Sequence, residues 1–220
     1  MNIVTIASQK GGAGKSTFAV NLAVLADRRG RPALLIDTDA QGSLTVWHKL
    51  RESRSPLLVP CRAGEIGAVL DTARRHGSID WAFIDGPPQN NEDIAQMMHA
   101  ATLVLIPTRP AIFDIAAATA TIDMARRLKR PFFVSLNGTP PKRGIAEAPI
   151  VASARKTLKA MDAPVWRGAV TQRSAYVNAL AAGQSVSEFE GEGPAAEEMR
   201  LLWRDVSAAA QAMAVYQRSA

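Results

Sequence analysis

Short apolar runs punctuate the chain: NIVTIAS, ALLID, LLVP, WAFID, TLVLIP, FFVSLN and VWRGAV. Each is too short for a typical helix and shows little alternation, so each reads as a strand buried on both faces. Between most of them, apolar residues recur at helical spacing, as in Phe18, Leu22 and Leu25, or Ile66, Val69, Leu70 and Ala73. Strand then helix, repeated, requires parallel pairing through right-handed crossovers. The pattern therefore predicts an α/β fold, a doubly wound, mostly parallel sheet with helices on both faces. Pro194, in EGEGP, is placed to open a final helix. Met199, Leu202, Trp203, Val206, Ala210 and Met213 share one face of that helix, with Arg200 and Arg204 displaced from it, a stripe that core packing explains.

Composition narrows the class. The 220 residues, 47% hydrophobic and 21% charged, suit one compact domain spanning 1–220, without internal repeat or low-complexity linker. NGTPPKRG, Asn137 to Gly144, reads as a loop over one edge of the sheet. The lone Cys61 can form no internal disulfide and cannot by itself supply a thiolate metal or iron–sulfur site, which points to a reducing compartment. Met1 leads directly into IVTIA with no basic leader or cleavage site, and no apolar run approaches the ~18 residues of a membrane-spanning helix. The expected location is the cytoplasm. A formal net charge of +6 invites a polyanionic partner, nucleic acid or an acidic membrane surface, or else reflects basic residues that only solvate the surface.

In a doubly wound sheet the ligand site lies beyond the carboxyl ends of the strands, where this chain places its glycines and acids. After the first strand, SQKGGAGKST offers Gly11, Gly12, Ala13 and Gly14, whose backbone N–H groups can close around phosphate oxygens at a helix N-terminus. Lys15 can reach the β- and γ-phosphates, Ser16 can ligate Mg²⁺, and Thr17 can hydrogen-bond the α-phosphate. The usual G-x-x-x-x-G-K-[ST] pattern fails only at its first position, occupied by Gln9. A bare glycine-rich turn is the plainer alternative. LLIDTDAQGS ends in Asp37 and Asp39, so spaced that one faces the magnesium shell and the other the γ-phosphate and its attacking water. WAFIDGPP ends in Asp85, at the position of a carboxylate that holds Mg²⁺ through water. A single strand-end Asp is often only a helix cap, but three downstream of a phosphate loop favour the magnesium reading.

KGGAGKS resembles the deviant Walker A motif of the ParA/MinD ATPases, and DTDAQGS and IDGPP resemble the companion motifs of the ParA branch, most of all in small ParF-like partition proteins. The likeness extends through VLIPTRPAIFDIAAA, Val104 to Ala118, to AVTQRSAYVNALAAGQSV, Ala169 to Val186. It implies a P-loop NTPase with ATP and Mg²⁺ as cofactors and ATP hydrolysis that is slow unless a partner stimulates it. It also implies that Lys10 reaches across a dimer interface to phosphates bound by the other subunit, as an arginine finger does elsewhere; a solvated lysine beside a loop is the alternative. Asp39 becomes the residue that orients water, and Asp37 and Asp85 bind Mg²⁺ through water. The family commonly has proline where this chain has Ala40. Asn137 and the segment from Thr171, with Arg173, look like adenine-side loops, and no [NT]-K-x-D motif is present to read guanine.

Basic residues collect late in the chain: Lys142 and Arg143 in the Pro/Gly loop, Arg155, Lys156 and Lys159 on a helix from Ile150, Arg167 and Arg173 near the last strand, and Arg200 and Arg204 on the final helix. On the helix from Ile150, Val151, Ala154, Leu158 and Met161 form the apolar face that these cations flank. ParA-like dimers bind DNA without sequence preference through such residues, so the resemblance implies an ATP-dependent homodimer on non-specific DNA at the nucleoid. An adaptor of the ParB or ParG kind, or one on another cargo, would trigger hydrolysis. No recognition-helix module or aromatic interleaving is apparent. A MinD-like membrane-surface ATPase would need an amphipathic basic tail, whereas SAAAQAMAVYQRSA offers small apolar groups and one arginine. A P-loop ligase or amidase would not need Lys10 in trans.

Overall fold

The computed structural model describes residues 1–88, 90–142, 144 and 146–219, with side chains through Val215. Six of the seven apolar runs are strands: β1 (Asn2–Ile6), β2 (Leu34–Asp37), β3 (Leu57–Pro60), β4 (Trp81–Asp85), β5 (Leu103–Thr108) and β6 (Phe132–Leu136). They form one sheet in the order β3-β2-β4-β1-β5-β6, and every pair is parallel. The period-two geometry of a strand sends alternate residues to opposite faces. Val4, Ile6, Leu35, Phe83, Leu103 and Leu105 pack on one side, while Ile3, Leu34, Ile36, Ile84, Val104 and Ile106 pack on the other. Both sets are apolar because helices cover both faces.

On the first face lie α1 (Lys15–Ala26), α2 (Ser43–Leu50), α7 (Ser174–Ala181), the short α8 (Val186–Phe189) and α9 (Pro194–Ser219). On the second lie α3 (Ile66–His76), α4 (Asn91–Ala100), α5 (Ile112–Arg127) and α6 (Pro149–Ala160). Helix α9 starts at Pro194 as its sequence signal predicts, and its Met199, Leu202, Val206 and Ala210 are buried. Its Trp203 ring meets Trp81 edge-on at 4.7 Å between centroids, fixing the helix against the sheet.

The seventh run, VWRGAV, is not a strand. Val165 and Thr171 make only isolated parallel bridges to Val134 and Thr139. Between them the Arg155 guanidinium takes the carbonyl oxygens of Trp166, Arg167 and Gly168 at 2.6, 3.0 and 2.6 Å. Gly168 also lies tight against the Trp166 ring, where any side chain would collide. Carbonyls turned toward a side chain cannot continue a ladder, so the segment stays beside β6 without extending the sheet.

A second tie concerns α2, which follows the DTDAQGS loop. Trp47 donates its indole N–H to the Gln184 carbonyl at 3.2 Å. Arg51 stacks on Trp47, donates to the Gly183 carbonyl at 3.1 Å and pairs with Glu188 at 2.6 Å. Gly183 has φ of +69°, and a Cβ there would stand 2.5 Å from the carbonyl carbon and oxygen of Leu50. Gly183→Ala thus combines left-handed strain with a backbone clash, and should cost about 2–4 kcal/mol. The expected fall in the thermal midpoint is about 5–15 °C; a midpoint unchanged within error would show that α2 does not rest on this loop.

Candidate functional site

The site forms where β1, β2 and β4 end together. The register pairs Ile6 with Asp85 and Asp37 with Asp85, so the phosphate loop after β1 and both strand-end acids meet at one edge. The loop turns through Gly12 at φ +71° and Gly14 at φ +102°, conformations that a residue with a Cβ resists. A side chain at Gly14 would also strike the Asn137 amide, which donates to the Ala13 carbonyl at 2.7 Å. Gly14 is the N-cap of α1 and caps it with no side chain, leaving the first N–H groups of the helix for an anion.

Lys15 is buried at the start of α1. Burial lowers its pKa, opposed by the nearby carboxylates of Asp85 and Asp39. Asp85 is buried almost completely, and burial pushes its pKa up to about 7 against the pull of the Ser16 hydroxyl and the Lys15 ammonium. Asp37 is raised by burial as well. One Asp37 oxygen accepts from the Thr45 N–H and hydroxyl at 3.1 and 3.0 Å, and the other from the Asp39 N–H at 3.2 Å. Asp37 therefore also restrains the first turn of α2. Asp39 is half-buried, with one oxygen accepting from the Gln41 N–H at 2.9 Å.

These carboxylates fit a divalent cation. Asp85 Oδ1 is buried with no hydrogen-bond partner among the described residues, an arrangement that costs free energy unless something cationic or hydrogen-bonding faces it. Among the described residues no group of three or more His, Cys, Asp or Glu could hold a metal alone. Mg²⁺ keeps several waters and is commonly shared between one or two protein oxygens and phosphate. Ser16 would be the direct protein ligand, with Asp37 and Asp85 acting through water.

Lys10 is exposed at the mouth of the loop, its ammonium without a partner among the described residues, and its backbone N–H donates to Ser8 Oγ at 3.3 Å. The departure from glycine at position 9 has a use. The Gln9 amide donates to Asn91 Oδ1 at 2.7 Å and its backbone N–H to Thr121 Oγ1 at 3.3 Å, tying the loop to α4 and α5. Gln9, Asn91 and Arg109 join the site although no motif in the sequence marks them as site residues. Arg109, exposed at the end of β5, lies with one guanidinium nitrogen 3.6 Å from where a Gly12 Cβ would be. Its signal was a cation between Pro107 and Pro110 after a strand expected to lie in the sheet.

The expected adenine-side residues stand on neighbouring segments, Thr171 bridging to Thr139 two positions beyond Asn137. Asn137 touches the phosphate loop, whereas Thr171 and Arg173 line a cavity of about 370 Å³ with Pro140, Pro141 and Lys142. The Arg173 guanidinium is engaged by Glu198 at 2.9 Å, and Glu198 also accepts from the Thr171 N–H and the Tyr176 hydroxyl. Arg173 is thus held inward and helps shape the cavity wall.

The basic set is also sorted by its partners. Arg155, expected among the DNA-binding cations of this helix, instead has its guanidinium engaged by Glu147 and three carbonyls, so that its side chain reaches back to brace the loop after α6. Arg200 pairs with Glu197 and Arg204 with Asp205, which offsets their charge locally. Lys142, Lys156, Lys159 and Arg167 are exposed, with no ion pair among the described residues. Arg143 lies outside the described residues.

Comparison with known proteins agrees with this geometry. The profile of the CobQ/CobB/MinD/ParA nucleotide binding domain matches residues 4–199. The "Maintenance of carboxysome distribution protein A" of Halothiobacillus neapolitanus is 29% identical over 214 residues, 92% of this chain and 95% of the relative. The chromosome-partitioning ATPase Soj of Thermus thermophilus is 29% identical over 154 residues, 56% of this chain and 62% of Soj. Among solved structures, a Cyanothece McdA complex with ATP superposes with a TM-score of 0.74 at 19% identity, covering 95% of this chain and 96% of its own. MinD in the MinC:MinD complex of Aquifex aeolicus gives 0.74 at 18% identity, covering 94% and 96%. With the phosphate loop, its buried lysine and the strand-end acids converging at one sheet edge, this chain belongs to the ParA/MinD family of P-loop ATPases, within the CobQ/CobB/MinD/ParA nucleotide-binding domains.

Proposed function

We propose that this protein is an ATP-dependent dimerising switch that holds non-specific DNA and positions a cargo, with hydrolysis triggered by a cargo-bound adaptor. The observation that carries the reading is Lys10, an unpaired, exposed ammonium at the mouth of a phosphate site already served by its own buried Lys15. A second lysine so placed, outside the pocket that buries Lys15, is available to the site of a facing copy. Helix α5 begins at the same carboxyl edge and leaves Ile112 and Phe113 each 78% exposed, apolar area that a second copy would remove from water.

ATP would sit on Gly11 to Thr17, with Mg²⁺ supplying charge neutralisation between the terminal phosphates. Lys15 binds the phosphates, Asp39 orients water with its free oxygen, and Asn137 holds the loop in shape from the neighbouring strand end. Lys10 of the facing copy adds positive charge where phosphoryl transfer develops negative charge, a type of contribution worth ~10³ to 10⁵ in rate when an arginine supplies it to GTPases. Since α2 is fixed at both ends, by Asp37 and by the Gly183 loop, nucleotide-linked change in the Asp39 loop would act on a rigid helix.

Lys142, Lys156, Lys159 and Arg167 are the proposed DNA contacts, doubled by dimerisation, and binding through them would be sequence-independent and salt-dependent. The cargo class comes from relatives named for carboxysome distribution and chromosome partitioning. Location on the nucleoid follows if the DNA reading holds.

Three outcomes test this. With ATP and Mg²⁺, Asp39→Ala should elute as a dimer in size-exclusion chromatography while hydrolysing at least ~10²-fold more slowly than wild type. Adding Lys10→Ala to that variant should return it to a monomer; a monomeric Asp39→Ala protein would remove the main support for the switch. In a gel shift on random-sequence duplex, the wild-type protein should bind only with ATP. The combined Lys156→Ala, Lys159→Ala and Arg167→Ala variant should bind more weakly, its salt slope falling by ~0.9 for each phosphate that is no longer neutralised. Unchanged binding would move the DNA surface elsewhere.

A further inference from the structure

We propose that Arg109 is a second phosphate-directed cation of the loop, contacting the terminal phosphates of a nucleotide bound by its own protomer. The inference rests on the nucleotide reading above and extends it to a residue with no role so far. Strand β5 is the neighbour of β1, so the residue that follows β5 emerges beside the loop that follows β1. Its backbone is held firmly. Pro107 and Pro110 flank it at close range, the Thr108 hydroxyl donates to the Arg109 carbonyl at 3.3 Å, and the Thr108 carbonyl accepts from the Asn137 N–H at 2.8 Å.

The side chain lies across two glycines. Its Cγ, Nε and Cδ stand 3.7, 3.8 and 4.0 Å from the place a Gly138 Cβ would occupy, and a terminal nitrogen stands 3.6 Å from the corresponding place at Gly12. Both glycines have positive φ, +61° and +71°. The stem therefore rests on a bare shelf and delivers the guanidinium to the phosphate loop.

What sets this arginine apart is that it lies over the phosphate loop without a counter-charge among the described residues. Arg51, Arg155 and Arg173 each have a carboxylate partner, in Glu188, Glu147 and Glu198. Arg109 is exposed with no acidic partner among the described residues, although Asp37, Asp39 and Asp85 lie at the same end of the sheet. A guanidinium is built for bidentate contact with phosphate oxygens. Its target follows from position along the loop. Helix α1 begins at Lys15 and presents its N-terminus to the inner phosphates, whereas Gly12 lies toward the mouth, on the Lys10 side. A cation over Gly12 therefore discriminates a triphosphate from a diphosphate.

The test is equilibrium titration of the full chain, with Mg²⁺, against a fluorescent non-hydrolysable ATP analogue and the matching ADP derivative. Arg109→Ala should weaken the triphosphate analogue by about 10- to 100-fold, as expected for loss of a hydrogen bond to a charged group, and the diphosphate by less than about 3-fold. Arg109→Lys should fall between, because it keeps the charge and loses the fork. Equal losses for both nucleotides, or none for either, would overturn the proposal. The same triphosphate loss is expected when Arg109→Ala is made in a Lys10→Ala background; its disappearance there would mean that the contact is made to a facing copy, against the proposal. Wild-type binding that Lys15→Ala abolishes and Arg109→Ala leaves intact would sink the arginine alone, whereas a wild-type protein that binds neither nucleotide would sink the site as a whole.

Discussion

Everything at the carboxyl edge of the sheet depends on an imbalance of charge: Asp39 and Asp85 act on one buried ammonium, Lys15, and a third acid, Asp37, stands beside them. Burial disfavours ionisation of Asp37 and Asp85, and Asp85 has an oxygen that no group among the described residues satisfies. A protein-only site of this kind is incomplete electrostatically. Mg²⁺ with a triphosphate would restore the balance, the cation answering the acids and the phosphates answering the lysine, the helix N-terminus and the loop amides. The same incompleteness gives the edge its sensitivity to what is bound.

That sensitivity reaches the rest of the molecule through few connections. Asp37 belongs to the ion site and at the same time restrains Thr45 in the first turn of α2. The far end of α2 is held by Arg51 and by the backbone contact at Gly183. On the other side, Gln9 joins the phosphate loop to the start of α4, which follows the Asp85 loop. The loops of the site are thus fastened to helices on both faces of the sheet.

Charge at the surface obeys the same logic of partners. A net charge of +6 says nothing about which cations are free. Of the basic residues late in the chain, Arg155 braces a loop and Arg200 and Arg204 are paired, whereas the exposed lysines of α6, Lys142 and Arg167 have no ion pair among the described residues. Desolvation and pairing reduce what a cation can offer a polyanion, and proximity in sequence does not reveal either.

The alternation of buried runs and helical stripes, with glycines and acids at the run ends, by itself determined the parallel α/β sheet, the phosphate loop and the roles open to Lys15, Ser16, Asp37 and Asp85. These are local patterns, set by periodicity and by the backbone freedom of glycine, and the strand register brings their ends together. Tertiary structure alone decided that VWRGAV stays outside the sheet, that Arg155 and Arg173 turn inward, and that Gln9 and Arg109 join the site. Each of those outcomes depends on partners far away in the chain, such as Gly12 for Arg109 and Glu198 for Arg173, and a hydrogen bond or a counter-charge exists only once folding has placed both of its halves.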